Sequence, residues 1–559
     1  MPSTPTTKSQ VQAYRFVLRR MQSALVRKDA VMLHDPMRTH SRATIVGVCL
    51  AALGMLGFLI WGILSPKPTA PNSDGIVIGK PSGQVYVMIA QPEKQLIPVF
   101  DLASARLLLH ARKQDDSQGP SGSDGPGTAA ATNVQVVAPE VIDDNELRNI
   151  PRGRLSGIPG GPGLLPSKDQ RVGPPWTVCD ETQLNREGSD ENVDENDPTA
   201  KNSETTVMAG VDQLGEQLAQ GESLLVRLDA ESAEQDPAEQ PAYLVYRTPG
   251  SANLPNTSAV RAEVDLSDSA VRNALDLSGL EPREISVGLL NAIPEKAELT
   301  APGVTGTVGE QADVDLGDSD LEKVGSVFQV QRAASEPQFY VVHRDGVEQI
   351  KETTADLLRF TNSEGAEIVA VSPEVISAAE KQDRIDDSTF PESRTEVLEA
   401  RNFPVACLSW KTVGEGVNRE ARTAVYIGKV IPGDPKPVRI SSPSADGVRI
   451  DWFYMPPGHG AVVRQATSSA DFDKGQITLV SDRGVKYGIP DSTTAAVLGL
   501  SDQLPAPRSI IGLLPDGASL SADDAQQSFD SVDVEQGVYP TEDGQEQPSG
   551  GGAGQSGGG

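Results

Sequence analysis

Residues Ala43 to Leu64 read ATIVGVCLAALGMLGFLIWGIL and carry no charge. At ~1.5 Å per residue a helix of this run is about 33 Å long, enough to cross a hydrocarbon core of about 30 Å. Ser65-Pro66-Lys67-Pro68 then stops it, because proline has no N–H and clashes with the preceding turn. Trp61, close to the end, suits a membrane–water interface and is a candidate anchor. Two other readings fit less well. A buried core helix is seldom so long without a polar break. A cleaved signal peptide has a short basic head, an apolar stretch of ~7–15 residues and a small-residue cleavage site; here 42 residues precede the run and no A-x-A follows. The expectation is one uncleaved transmembrane helix over 43–64.

The run divides the charge of the chain. The whole chain of 559 residues has a formal net charge of −30. Residues 1–42 hold eight basic side chains (Lys8, Arg15, Arg19, Arg20, Arg27, Lys28, Arg38, Arg42) and two acidic ones, Asp29 and Asp35. Residues 65–559 hold 40 basic and 76 acidic groups, a net of −36. Basic flanks stay in the cytoplasm. The expected topology is therefore single-pass, with a cytoplasmic N-terminus and a large body outside. Such a split excludes a simple soluble enzyme. It also argues against nucleic acid as a partner, since the body repels phosphate.

The head, 1–42, has helical periodicity over 8–33, with Thr7 or Ser9 available as a cap. Val11, Tyr14, Leu18, Met21 and Leu25 step by three or four residues and make one apolar stripe, widened by Val17 and Ala24. Arg15, Arg19, Arg20 and Arg27 lie mostly off it. A short helix alone in water is marginal, so something covers the stripe. The inner membrane surface, a partner's groove and the chain's own linker are the three occupants to weigh.

The body is expected over 65–520. Three cysteines occur in the chain, and only Cys179 and Cys407 lie outside the span. Outside the cytoplasm such a pair is expected to form a disulfide, two buried thiols being the alternative. The bond would bring Trp176-Thr177-Val178-Cys179 and Cys407-Leu408-Ser409-Trp410 into one core. Internal similarity points to small α+β repeats. Residues 339–350 with 354–358, and 477–489 with 495–500, both read as strand, glycine-containing turn, strand, short helix. Residues 84–99 with 102–108 make a third candidate, and 242–246 opens a weaker fourth. The stretches 113–131 and 180–205 read as disordered insertions, and 521–559, acidic and then Gly-rich, as a disordered tail.

No catalytic or metal motif is present. There is no G-x-x-x-x-G-K-[ST] phosphate loop, no H-E-x-x-H and, before the Gly-rich tail, no G-x-S-x-G elbow. Gly157-Ile158-Pro159-Gly160-Gly161-Pro162-Gly163 is glycine-rich, but its prolines remove N–H donors. Three of the five histidines, His110, His343 and His459, lie in the body after the span, and they are scattered. The catalytic, cofactor and metal residues expected are none.

Several phrases together resemble one family. They are the basic amphipathic head, the span near residue 50, Leu102-Ala103-Ser104-Ala105-Arg106-Leu107, the Gly157-Ile158-Pro159-Gly160 turn, Trp176-x-x-Cys179-Asp180, the distant Cys407 and Leu479-Val480-Ser481-Asp482-x-Gly484-Val485-x-Tyr487-Gly488-Ile489-Pro490. They resemble EccB, the membrane-anchored component of the actinobacterial type VII (ESX) secretion machine, over about residues 8–520. The resemblance implies an α+β fold: an N-terminal amphipathic helix, one span, and an elongated periplasmic domain with a disulfide-bearing core and about four small repeat domains. It implies an inner-membrane complex with EccC, EccD, EccE, the mycosin protease and further EccB copies, with the head on the cytoplasmic side. The function so implied is structural, anchoring and organising the translocon. A membrane-tethered ATPase, a label the family sometimes carries, and a cell-wall-binding module are the alternatives. ATP would enter only through that label.

Overall fold

The computed structural model describes residues 7–27, 36–64, 70–117, 136–182, 203–229, 240–248, 259–332, 335–363, 365–414, 416–433, 436–444 and 447–530. The chain divides into two units, Met1–Ala70 and Pro71–Gly559. In the first, Lys8–Arg27 is a helix. The Thr7 carbonyl accepts the N–H groups of Gln10 and Val11, and the Gln10 side chain returns to the Thr7 N–H at 3.0 Å. That satisfies helix-end groups that would otherwise lack partners. Residues 28–33 of the expected helix lie outside the described residues. A second helix, Pro36–Leu64, contains the apolar run. Proline stands at its start, where no N–H is needed.

The second unit holds four copies of one βββαβαβ arrangement. In the first repeat Gly75–Lys80, Val85–Ile89 and Gln95–Val99 form an antiparallel meander. Helix Leu102–Ser117 follows, and strand Glu140–Asp143 pairs parallel with the meander's first strand. After helix Asp144–Leu147, Leu155–Ser156 pairs parallel with the meander's third strand. The second repeat runs through Glu222–Leu228, Ala242–Arg247, Ala259–Val264, helix Ser269–Ala274, Arg283–Ile285, helix Val287–Ala292 and Glu295–Lys296, in the same pairing. The third runs through Val327–Val330, Gln338–His343, Gly346–Ile350, helix Glu352–Asn362, Val369–Val371, helix Pro373–Ala378 and Lys381–Gln382. The fourth runs through Gly460–Ala466, Ile477–Ser481, Lys486–Ile489, helix Ser492–Leu498, Leu504–Pro507 and helix Arg508–Ile511, and ends on a single parallel bridge from Asp516 to Lys486. The hairpin glycines Gly83 and Gly484 sit at φ +72° and +79°, where a side chain would strain the turn.

A seven-stranded sheet lies between repeats. Its order is Val438–Arg439, Trp452–Tyr454, Ser203–Ala209, Trp176–Thr182, Val405–Val413, Glu420–Gly428, Glu216–Gln217. The chain supplies it twice, once before the second repeat and once after the third.

Strand alternation decides what packs where. In the second repeat Leu224, Val226 and Val245 point to the central sheet, while Leu225, Leu244 and Tyr246 join a cluster with Leu357 of the third. In the fourth, Val463 and Val480 point to the central sheet, while Val462 and Leu479 join a cluster with Leu107 and Leu109 of the first. Packing therefore runs first repeat, fourth, central sheet, second, third. The third repeat, at one end, covers its other sheet face locally: Ala312, Leu316, Leu321 and Ile376 bury Phe328, Val330, Tyr340 and Val342. Terminal units of repeat arrays need such a cap.

Three composition-based boundaries shift. Residues 113–117 continue the helix Leu102–Ser117; 118–131 lie outside the described residues. Asp180–Thr182 and Ser203–Thr205 are central-sheet strand, not insertion; 183–202 lie outside the described residues. The ordered body also passes 520. Helix Ala522–Ala525 and strand Ser528–Phe529 follow, the strand pairing antiparallel with Leu155–Ser156. Phe529 sets its ring edge-on to Phe100 at 5.7 Å. Composition alone makes this polar segment a tail, because it does not show that the segment completes an open sheet edge. Residues 531–559 lie outside the described residues.

Candidate functional site

Cys179 and Cys407 sit directly opposite each other on adjacent antiparallel strands, and their sulfurs are bonded. The same register pairs Val178 with Leu408, Thr177 with Ser409 and Trp176 with Trp410. Both cysteines are buried, with Met208, Leu214 and Val405 packed around them. The bond joins the two halves of the central sheet across 228 residues of chain.

The next residue, Asp180, ties this sheet to the second repeat. Its carboxylate, 1 % exposed, accepts the Ser286 N–H at 2.7 Å and the Ser286 hydroxyl at 3.0 Å. Ser286 in turn caps helix Val287–Ala292, accepting the Leu289 N–H at 3.1 Å. Burial pushes the Asp180 carboxyl up to about 6, opposed by its hydrogen bonds to Ser286 and Thr205. Arg283, also buried, is pushed down to about 10 by burial, and the Asp180 charge partly holds it up. Arg283 donates to the carbonyl of Phe403 just before the Cys407 strand. The joint sets a buried carboxyl and a buried guanidinium within reach of each other's charge, next to a disulfide.

The apolar side chains of the head are exposed. Val11, Tyr14, Leu18, Met21 and Leu25 are between 37 % and 83 % open. Phe16 and Val26, not part of the expected stripe, are open as well. The window Arg42–Leu64 is long and apolar enough to cross a membrane, and none of it is buried; Trp61 is exposed near its end.

The family described as "Type VII secretion system ESX-1, transport TM domain B" matches residues 3–534. The chain belongs to the EccB family. A relative named "ESX-1 secretion system ATPase EccB1", from Mycolicibacterium smegmatis, is 31 % identical, over 94 % of this chain and 96 % of the relative. Among solved structures, a chain of "Structure of an intact ESX-5 inner membrane complex, Composite C3 model" aligns with TM-score 0.62 at 25 % identity, covering 97 % of this chain and 99 % of that one. A chain of "Structure of EccB3 dimer from the ESX-3 core complex" aligns with TM-score 0.60 at 26 % identity, covering 81 % and 100 %.

In this EccB chain the glycine-rich loop packs against the start of helix Leu102–Ser117. The Asp101 carboxylate accepts the Ser104 N–H at 2.7 Å, and the Ser104 hydroxyl accepts the Ile158 N–H at 2.9 Å. A Cβ on Gly157 would meet Ser104 at 2.6 Å, and one on Gly161 would meet Asp101 at 2.1 Å. The glycines are there for close approach, and a carboxylate already occupies the place at the helix N-terminus that a phosphate would take. Among the described residues no three His, Cys, Asp or Glu side chains converge as metal ligands. His343 is buried in the third repeat: its Nδ1 accepts the Thr305 N–H at 3.0 Å, so Nε2 carries the proton and donates to Glu348 at 2.8 Å. Asp180 was hidden from sequence reasoning by the acidic stretch that follows it. Its place directly after Cys179 in a buried strand was the available signal.

Proposed function

We propose that this EccB-family chain is a structural membrane component of a type VII (ESX) secretion complex. The observation that carries the reading is the family match over residues 3–534, supported by the near full-length likeness to a chain of an ESX-5 inner membrane complex. The helix Pro36–Leu64 serves as a single-pass anchor in the inner membrane, with the head in the cytoplasm and the body in the periplasm; the basic residues before the span support that direction. The body pairs with further copies of itself, by analogy with the EccB3 dimer. The exposed stripe of helix Lys8–Arg27 docks in a groove of a cytoplasmic partner in the complex, whose other members are EccC, EccD, EccE and the mycosin protease. The test is extraction of the tagged full chain in mild detergent, followed by identification of co-purifying proteins.

A second reading follows from the "ATPase" in the relatives' names. It lacks a residue assignment: the sequence has no phosphate loop, and its glycine-rich loop is filled by packing. ATP hydrolysis by the purified full chain, lost on a point substitution, would favour it.

A further inference from the structure

The fourth strand of each repeat pairs with the meander's first strand and leaves its other edge to be managed. Exposed edges recruit further strands unless charge, proline or cover prevents it. In the first repeat this strand is Glu140-Val141-Ile142-Asp143, with a carboxylate at each end. In the second it is Arg283–Ile285, where Arg283 and Ile285 are buried beside the central sheet. In the fourth it is Leu504-Pro505-Ala506-Pro507, whose prolines have no N–H to offer. In the third it is Val369-Ala370-Val371, with neither charge nor proline. Val369 is 45 % exposed and Ala370 is exposed. Among the described residues no strand lies on its outer side. A cleft of about 310 Å³ opens beside it, with Val308, Val324 and Val369 on its apolar side and Asp320, Lys323, Arg359 and Glu367 among the polar residues that line the rest. Val308 is itself 44 % exposed.

At the cleft itself Asp320 and Glu367 balance Lys323 and Arg359; the one-sided charge belongs to the wider half of the body that holds the edge. Residues 222–397, the second and third repeats, hold 34 acidic and 14 basic side chains. Residues 398–520 hold 12 acidic and 13 basic ones. The edge therefore lies in the stretch of sequence that carries most of the net negative charge of residues 65–559.

We propose that the Val369–Val371 edge is a strand-addition site for an extended basic segment of a partner protein, in which apolar side chains alternate with Lys or Arg. Main-chain hydrogen bonds to the open edge supply affinity, and the Val308–Val369 cleft takes an apolar side chain. The acidic half of the body selects a cationic strand and speeds its capture. A second copy of this chain is disfavoured at the same place. Edge-to-edge pairing would bring two acidic halves together.

The test uses the full chain in detergent and an eight-residue fluorescent peptide of alternating Lys and Val, with an alternating Glu and Val peptide as control. The expected results are binding of the basic peptide alone, weakening as salt rises, and slowed amide exchange over residues 368–371. Val369→Lys is expected to weaken binding by about tenfold or more. Val141→Lys, on the first repeat's strand, leaves it unchanged. No binding at millimolar peptide, equal binding of the acidic peptide, or slowed exchange elsewhere overturns the proposal. So does cross-linking of copies to each other through Ala370→Cys. If Val369→Lys lowers the melting temperature, the exchange map of the unaltered chain decides.

Discussion

At the scale of single residues, the joint at Asp180 makes a pH prediction. Burial raises its folded carboxyl to about 6, above its ordinary value of 3.8. The folded chain therefore holds this proton more tightly than the unfolded chain does. The stabilising contribution is fully present below about pH 4 and is lost as pH rises through about 6. A shift of roughly two units corresponds to about 3 kcal/mol at most. Asp180→Asn is expected to remove that slope, so the melting temperatures of variant and unaltered body diverge between pH 4.5 and 7. Parallel curves would show that Asp180 does not titrate there. The neighbouring disulfide acts on the unfolded chain. Closing 228 residues is worth about 5 kcal/mol as an upper figure in the entropy model. Cys179→Ser with Cys407→Ser is expected to lower the urea midpoint clearly. An unchanged midpoint would mean that sheet pairing alone holds the two strands.

At the scale of elements, the helix Lys8–Arg27 and the tail strand Ser528–Phe529 carry the sharpest expectations. Leu18→Glu or Met21→Glu should abolish docking of the head while leaving membrane insertion intact, because both side chains are exposed and lie outside the span. Co-purification of the mutant with partners at the unaltered yield would contradict this. A chain ending at residue 520 loses the strand beside Leu155–Ser156 and the Phe100–Phe529 contact. Its first repeat should show faster amide exchange around Val99 and Ser156; unchanged exchange would mean the strand adds nothing. Legibility in the sequence followed element size. The hairpins of the third and fourth repeats are legible, because alternating strands of four to six residues around a glycine turn leave a pattern; the first repeat offers, over 84–99, a hairpin without glycine at its turn, and the second only the strand 242–246. The parallel flanking strands, such as Lys381–Gln382 or Leu155–Ser156, have two residues and no periodicity to read. The pairing of Cys179 with Cys407 could be argued from redox compartment. The role of Asp180 could not, because hydrogen bonding from Ser286, more than a hundred residues away, is set only by the fold.

At the scale of the whole molecule, one arrangement is repeated four times, and the chain order of the repeats differs from their packing order. The central sheet is built from two separate stretches, so a cut anywhere between Gln217 and Val405 separates its two halves. Charge is uneven along the chain: most of the acidic excess of residues 65–559 falls in 222–397, the stretch that holds the second and third repeats. A charge-polarised body that follows one candidate membrane helix suits a scaffold that must present different surfaces to different neighbours. The most direct measurement is purification of the tagged full chain from its own membranes in mild detergent, with the co-purifying proteins identified. The account expects a large assembly containing the EccC, EccD and EccE components and more than one copy of the chain. Recovery of the chain alone, as a monomer, from membranes that contain those components would contradict it.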